Sequence, residues 1–374
     1  MDTYEPHPTV MWELTRACDL HCRGCPTGAD ERRGSNELTT YEAYKTIDQI
    51  ASLKPRELII TGGDPLERGD VGQIIDYARR RGLEPALALS PTSQLTYDSL
   101  ARLQREGLTH VIFPVDGSTA EIHESIHDVA NTWGRTLRAM RWADCAGLRI
   151  EVNTLVCRRN AGDLLAIADL IRPFGITRWN LHFLVPAGPS KNIEMLTAIE
   201  AESMFGVIDE IRMRENFAVR IVEAPHYRRW RLQQSLREKL REVEQWPDFA
   251  SYQTEDHAAE LRECTRDGAQ GFVFISHAGD VRPGEFVPQS AGNLRYRSLG
   301  TIYRGSDLFV ALRDLDNLKA KCRRCDFRHV CGGSRARASA MTGNLFGTDP
   351  LCAYEPPMHD TTMPSLGGGR GANA

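Results

Sequence analysis

Three thiols fall within eight residues, at Cys18, Cys22 and Cys25, in the run Thr15-Arg16-Ala17-Cys18-Asp19-Leu20-His21-Cys22-Arg23-Gly24-Cys25-Pro26. The spacing Cys-x3-Cys-x2-Cys lets one short loop bring all three sulfurs to one point, and a soft metal centre is the usual reason for that convergence. Three thiolates can ligate three corners of a 4Fe–4S cube and leave the fourth iron without a protein ligand, whereas ordinary ferredoxin clusters place a cysteine at every iron. An iron left open can bind something else. The alternative is a structural zinc site in which His21 joins the three cysteines.

A second set lies near the other end. Cys322-Arg323-Arg324-Cys325 begins it, Cys331 follows after five residues and Cys352 after twenty more. Four thiols complete a metal site, and tetrahedral zinc is again the alternative to iron and sulfur. Cys145 and Cys157 read as small packing residues. Cys264 is open between a spare ligand, a substrate-side thiol and no role.

The chain around these sites has 374 residues, 41% hydrophobic and 26% charged, which suits a soluble protein of two domains. A net charge of -4 gives no reason to expect nucleic acid or an anionic membrane as a partner. No apolar run approaches transmembrane length, and the N-terminus lacks the basic and apolar regions of a secretory signal. Ten cysteines in such a chain, seven of them in two clusters, point to metal chemistry in a reducing, cytoplasmic compartment.

The elements that must position the thiols follow a regular alternation. Strands are expected at Val10–Leu14, Glu57–Thr61, Pro85–Ser90, His110–Val115, Arg149–Val156 and Arg178–Val185. Helices are expected at Val71–Arg80, Tyr97–Arg105, Trp133–Cys145 and Gly162–Ile171, with another opening at Thr39-Thr40-Tyr41-Glu42. Repeated strand–helix units specify an α/β fold with a parallel sheet and right-handed crossovers. Six units are two short of the eightfold barrel, so a partial (β/α)6 barrel is expected over 1–195. Loops at the carboxyl ends of the strands then gather the cysteine loop and Gly62-Gly63-Asp64-Pro65 on one face. Residues 196–260 read as a helical linker whose charged run, Arg228 through Glu242, is solvated. Residues 261–356 read as a small α+β domain with a hairpin from Gly271, and 357–374 as a flexible tail.

Cys18, Cys22 and Cys25, with the lead-in Trp12-Glu13-Leu14-Thr15-Arg16-Ala17, resemble the signature of radical S-adenosylmethionine (SAM) enzymes. The resemblance implies that the open iron chelates the amino and carboxylate groups of SAM. One electron then cleaves the sulfonium, and a 5′-deoxyadenosyl radical takes a hydrogen atom from substrate. Gly62-Gly63-Asp64-Pro65 resembles the family's Gly-Gly-Glu-Pro motif, in which strand-end backbone and the acid hold the methionine amine. Asp64 is one methylene shorter than the usual Glu. By strand position, the resemblance puts Ser90, Asp116, Asn153 or Thr154, and Val185 in contact with the rest of SAM. His182 is either substrate-facing or a buried histidine satisfied in place.

Cys331-Gly332-Gly333-Ser334-Arg335-Ala336-Arg337-Ala338 and Asp349-Pro350-Leu351-Cys352-Ala353-Tyr354-Glu355-Pro356 resemble the SPASM or twitch extension of such enzymes, most closely those of haem pathways. Gly284 stands where many relatives carry Pro-Cys. One fully ligated auxiliary 4Fe–4S cluster is therefore expected, held by Cys322, Cys325, Cys331 and Cys352. Such a cluster can relay an electron, which favours net oxidation of substrate. The expected substrate is a porphyrin-like carboxylated side chain in haem biosynthesis, and the expected electron donor is of flavodoxin or ferredoxin type. The alternatives are a maturase of a ribosomal peptide and a non-enzymatic metal-binding scaffold.

Overall fold

The computed structural model describes residues 7–23, 25, 28–242 and 271–357. Cys264, the stretch 243–270 and the tail from 358 lie outside the described residues. Seven parallel strands form the body of one sheet: β1 (Thr9–Glu13), β2 (Glu57–Thr61), β3 (Pro85–Ala88), β4 (His110–Pro114), β5 (Arg149–Val156), β6 (Arg178–Phe183) and β7 (Ala218–Val222). Short strands β8 (Phe272–Ile275), β9 (Asp280–Arg282) and β10 (Gly292–Asn293) extend it. The order is β10-β9-β8-β1-β2-β3-β4-β5-β6-β7, an open sheet. Helices α1 (Thr40–Leu53), α2 (Val71–Arg80), α3 (Tyr97–Arg105), α4 (Ala120–His127), α5 (Thr132–Cys145), α6 (Leu164–Ile171) and α7 (Ala198–Arg214) connect the strands, and α8 (His226–Glu242) follows β7. The extension adds α9 (Leu299–Gly305), α10 (Asp307–Arg313), α11 (Ala320–Arg323) and α12 (Arg335–Thr342). Among the described residues, no helix is long and apolar enough to cross a membrane.

Side chains of the strands alternate between two environments, as the pleat requires. Val10, Trp12, Leu58, Ile60, Val111, Phe113, Val152, Trp179 and Leu181 are buried in the large core. Their neighbours Met11, Ile59, Ile112, Asn153, Leu155, His182 and Arg220 line a cavity on the other face of the sheet. The amino-terminal side of this face holds a polar network. Arg178 donates to Glu57 (2.8 Å) and Glu151 (2.6 Å), Arg220 donates to Glu57 (2.9 Å), and Asn180 donates to Glu151 (3.1 Å) and Asn153 (2.9 Å).

Two features depart from the expected pattern. β7 lies inside the span 196–260 expected to be a helical linker. Arg220 interrupts its apolar pattern, but it points to the cavity face and finds Glu57, while Val219 and Ile221 are buried. The second feature is β8, which pairs in parallel with β1, Met11 opposite Phe274. The hairpin thus completes the core sheet by covering what would be an open edge at β1. His277 reinforces the join, its amide and Nδ1 lying 3.2 and 2.5 Å from Glu13 Oε2.

Arg337 pins the extension to the barrel. Its side chain is fully buried, 3.2 Å from both oxygens of the equally buried Asp349. It also donates to the carbonyls of Phe183 (3.2 Å), Leu184 (3.1 Å) and Glu223 (2.6 Å), at the carboxyl ends of β6 and β7. Arg337→Leu should strand the Asp349 carboxylate and lower stability by about 3–5 kcal/mol. The double variant Arg337→Leu/Asp349→Leu should lose less than the two single losses combined, as read from urea midpoints.

Candidate active site and metal centres

The cysteine loop leaves β1 and is held by backbone on both sides. Cys18 N donates to Asp30 O (2.9 Å), Asp30 N to Arg16 O (2.8 Å), and Arg23 N to the last carbonyl of α4, at His127 (2.9 Å). Amides reach the sulfurs too: Leu20 N lies 3.4 Å from Cys18 Sγ and Ala29 N 3.3 Å from Cys25 Sγ. Burial, with Asp64, Cys22 and Asp19 nearby, pushes the Cys18 thiol up to about 12. Such a thiol ionises at neutral pH only against a cation, which is what a metal supplies. His21 is turned away, 71% exposed and 3.7 Å from Glu31, so the zinc set proposed for it is not assembled.

Gly62 and Gly63 lie against this loop. A Cβ on either would collide with the carbonyl oxygens of Thr15 or Ala17, which explains the residue type. Gly63 N donates to Thr15 O (2.8 Å) and Asp64 N to Ala17 O (2.7 Å). The Asp64 carboxylate is fully buried and already engaged: Oδ1 accepts from Leu66 N (3.0 Å) and Oδ2 from Thr92 Oγ1. Asp64 therefore ties the β2 loop to the β3 loop, and Pro65 opens a 3-10 turn behind it. Ser90 Oγ joins from the loop after β3, donating to Gly63 O at 3.2 Å.

Asp116 and His127 form the opposite wall. Asp116 Oδ2 lies 2.6 Å from His127 Nε2, and Oδ1 accepts from Leu155 N at 2.5 Å. Burial alone would lower the His127 pKa, but Asp116 and a hydrogen bond with Cys22 outweigh it and push it up to about 10. His123 packs beside it, ring centroids 4.6 Å apart, and its Nδ1 accepts from Asp116 N at 3.0 Å. Between these walls the cavity measures about 260 Å³. Its far end carries His182, lowered to about 4 by burial and then by Arg220, and Glu285, pushed up to about 8 by burial and then by Glu223 and Glu13.

Cys322, Cys325, Cys331 and Cys352 line a second, smaller cavity with Arg229, Lys321, Phe327 and Tyr354. Gly332 and Gly333 turn there through left-handed φ of 71° and 68°, which glycine adopts freely, and Gly333 N points at Cys331 Sγ (3.4 Å). Burial and the neighbouring thiols push Cys331 well up, and burial pushes Cys352 up to about 11. Among the described residues, Asp116, His123 and His127 bring one metal-capable side-chain atom each to within 4.8 Å of one another. Four thiols on one cavity form the soft donor set that iron–sulfur clusters and zinc both take.

A family model described as the radical SAM superfamily matches residues 12–171. An "AdoMet-dependent heme synthase" of Methanosarcina barkeri is 32% identical over 347 residues, covering 93% of this chain and 96% of its own. The chain belongs to the radical SAM superfamily. A "PqqA peptide cyclase" of Granulibacter bethesdensis is 26% identical, covering 96% of this chain and 90% of its own. Among solved structures, SuiB of Streptococcus suis bound to S-adenosylmethionine shares the fold at a TM-score of 0.69 and 14% identity, covering 94% of this chain and 79% of that one. This radical SAM enzyme uses SAM and an iron–sulfur cluster, and its open sheet is the expected α/β architecture.

Of the residues expected at SAM, Asp116, Asn153 and Val185 line the cavity, while hydrogen bonds join Ser90 to Gly63, and Gly63 and Asp64 to the cysteine loop. Thr154 is a correction. It faces the helices, fully buried, donating to Val115 O (2.5 Å) and accepting from Trp179 Nε1 (2.7 Å). Its parity with Val152 and Val156 was the sequence signal for that face. Arg228 and Arg229 are a second correction to the solvated charged helix: they are 4% and 3% exposed. Arg229 donates to Glu202 (Nη1–Oε1 2.8 Å) and lies over the Tyr354 ring at 5.2 Å. Sequence reading missed His127 altogether, although His123 and His127 at helical i, i+4 spacing shared a face.

Asp64 has a pH signature. Burial raises its carboxyl to about 6 from an ordinary 3.8. Between those values the folded chain keeps a proton that the unfolded chain has released, so the contribution of Asp64 to stability falls as pH rises from about 4 to about 6. Asp64→Asn keeps the acceptor for Leu66 N and removes that slope. In urea unfolding of the metal-free protein, the variant should gain on the parent across this window, by at most about 3 kcal/mol.

Proposed function

We propose that Cys18, Cys22 and Cys25 hold the SAM-binding 4Fe–4S cluster, and that Cys322, Cys325, Cys331 and Cys352 hold a second, fully ligated one. When bound, the first cluster with SAM supplies a 5′-deoxyadenosyl radical to the cavity. The protein's own residues orient and protect. Gly62, Gly63 and Ser90 offer backbone and hydroxyl oxygens to the methionine amine, while Asp64 fixes their loops. The Asp116–His127 pair secures Cys22 against the cavity wall. Met11, Ile59, Ile112 and Leu155 give that wall an apolar lining that excludes water. Arg220 supplies a cation inside it.

The substrate in this reading is a tetrapyrrole, oxidised at a carboxylated side chain. The observation that carries it is the 32% identity, along almost the whole of both chains, to a relative named as a haem synthase. Removing a hydrogen atom and carbon dioxide from a propionate-type side chain leaves a vinyl group and one electron. A second cluster is a suitable acceptor for that electron. A flavodoxin- or ferredoxin-type protein as electron donor and a reducing, cytoplasmic compartment belong to the same reading.

Anaerobic reconstitution should load about eight irons. Dithionite-dependent SAM cleavage should then be stimulated by an iron porphyrin bearing propionate groups, with vinyl products seen by mass spectrometry. Stimulation by a PqqA-type peptide instead would replace the tetrapyrrole by a peptide. Stoichiometric zinc without SAM cleavage would overturn the enzyme's assigned centres. Cys22→Ala should abolish 5′-deoxyadenosine formation. Cys331→Ala should still cleave SAM yet release no oxidised porphyrin, a split that liquid chromatography of both products would reveal.

A further inference from the structure

The two cysteine sites differ in the charge packed against them. At the N-terminal site the ionic neighbours are balanced or acidic. His127 is cancelled by Asp116 at 2.6 Å, and Asp19 and Asp64 lie near Cys18. At the second site, two buried guanidiniums have no carboxylate partner among the described residues. Arg335, 6% exposed, donates to the carbonyls of Gly333 (3.2 Å), Leu345 (3.2 Å) and Gly347 (2.7 Å). Its remaining Nη2 points at Cys322 Sγ, 3.9 Å away. Arg228, 4% exposed, reaches the carbonyl of Val330, the residue before Cys331, at 3.4 Å, and its Nε has no acceptor. Two acids nearby are engaged elsewhere: Asp349 pairs with Arg337 and accepts from the amides of Ser334 and Leu351, and Glu223, within electrostatic reach of Arg335, accepts from Ser334 Oγ and has its carboxyl pushed up by burial.

A buried cation ringed only by neutral dipoles is costly unless an anion lies within reach. Four thiolates around a metal centre supply that anion, and four neutral thiols do not. The same proximity acts on redox balance. A fixed positive charge at short range in a low-dielectric pocket favours the more negative, reduced state of a cluster, and a donor to a ligating sulfur adds to this.

We propose that Arg335, as buried counter-cation and donor to Cys322 Sγ, holds the second centre at a higher reduction potential than the N-terminal one, so that electrons leave the substrate toward it. This rests on the second-cluster reading above. Arg335 is a positioning residue: it touches a ligand, not substrate. Arg228 adds charge beside Val330, the residue before Cys331.

The test uses the full chain with Cys18→Ala, Cys22→Ala and Cys25→Ala, so that any cluster bound is the second one. After anaerobic reconstitution, its midpoint is read by redox titration followed by electron paramagnetic resonance. Arg335→Met and Arg335→Gln should shift the one-electron reduction equilibrium at least tenfold toward the oxidised cluster, about 59 mV. Arg335→Lys, which keeps the charge, should stay near the parent. Loss of iron in Arg335→Met with retention in Arg335→Lys also supports the counter-charge. An unchanged midpoint in iron-loaded Arg335→Met, or loss of iron in all three variants, overturns the proposal alone. No iron in the parent triple variant removes the second-cluster reading, and the proposal with it.

Discussion

The close approach of two backbones governs the rest of this structure. Thr15 to Ala17, leading into the cysteines, lie directly on Gly62 and Gly63, near enough that no side chain fits between. Two amides at 2.7–2.8 Å fix the contact. Because β1 and β2 are adjacent and parallel, their following loops emerge at one end of the sheet and must either clash or interlock. Glycine makes the second outcome possible. Asp64 then extends the lock to the β3 loop through Thr92, so its amide and carboxylate together join loops from three strands. The placement of Cys18, Cys22 and Cys25 follows from this, with His127 of α4 closing the remaining side.

The extension is attached by a different kind of contact. β8 adds to the sheet edge through backbone pairing, while Arg337 inserts a charge between the carboxyl ends of β6 and β7 and Asp349. Glu223, in a left-handed conformation at the end of β7, receives Ser334 Oγ from the extension and lines the cavity. The second cysteine set is therefore coupled to the cavity wall by hydrogen bonds rather than by proximity of the chain in sequence. Satisfied buried networks of this kind are stiff, since every member that moves leaves an unpaired group behind.

Local patterns made much of this legible before the structure. β2, β5, α2 and α3 have the bounds their apolar periodicity marks, and the first cysteine set follows β1 as its spacing implies. What local pattern could not give is the partner of each polar side chain. His127 meets Cys22 across more than a hundred residues of chain, and nothing near either announces it. Arg220 falls in a span expected to be a helical linker, and its partner Glu57 comes from β2, a strand distant in both sequence and sheet order. Arg229 read as a solvated charge because Glu202 and Tyr354 come from separate elements. The environment of Thr154 follows from strand parity alone, since it shares a face with Val152 and Val156.

The pairing of β8 with β1 has a consequence for how the protein comes into being. β1 finds one of its two neighbours only after β8, far later in the chain, has been made. Until then, Thr9 to Glu13 presents unpaired amides and carbonyls along an apolar segment, the sort of edge that recruits foreign strands. Late, long-range closure of this type slows folding and prolongs exposure of such intermediates. The cysteine loop hangs from that same strand, so the segment awaiting its partner is also the one bearing the three N-terminal thiols.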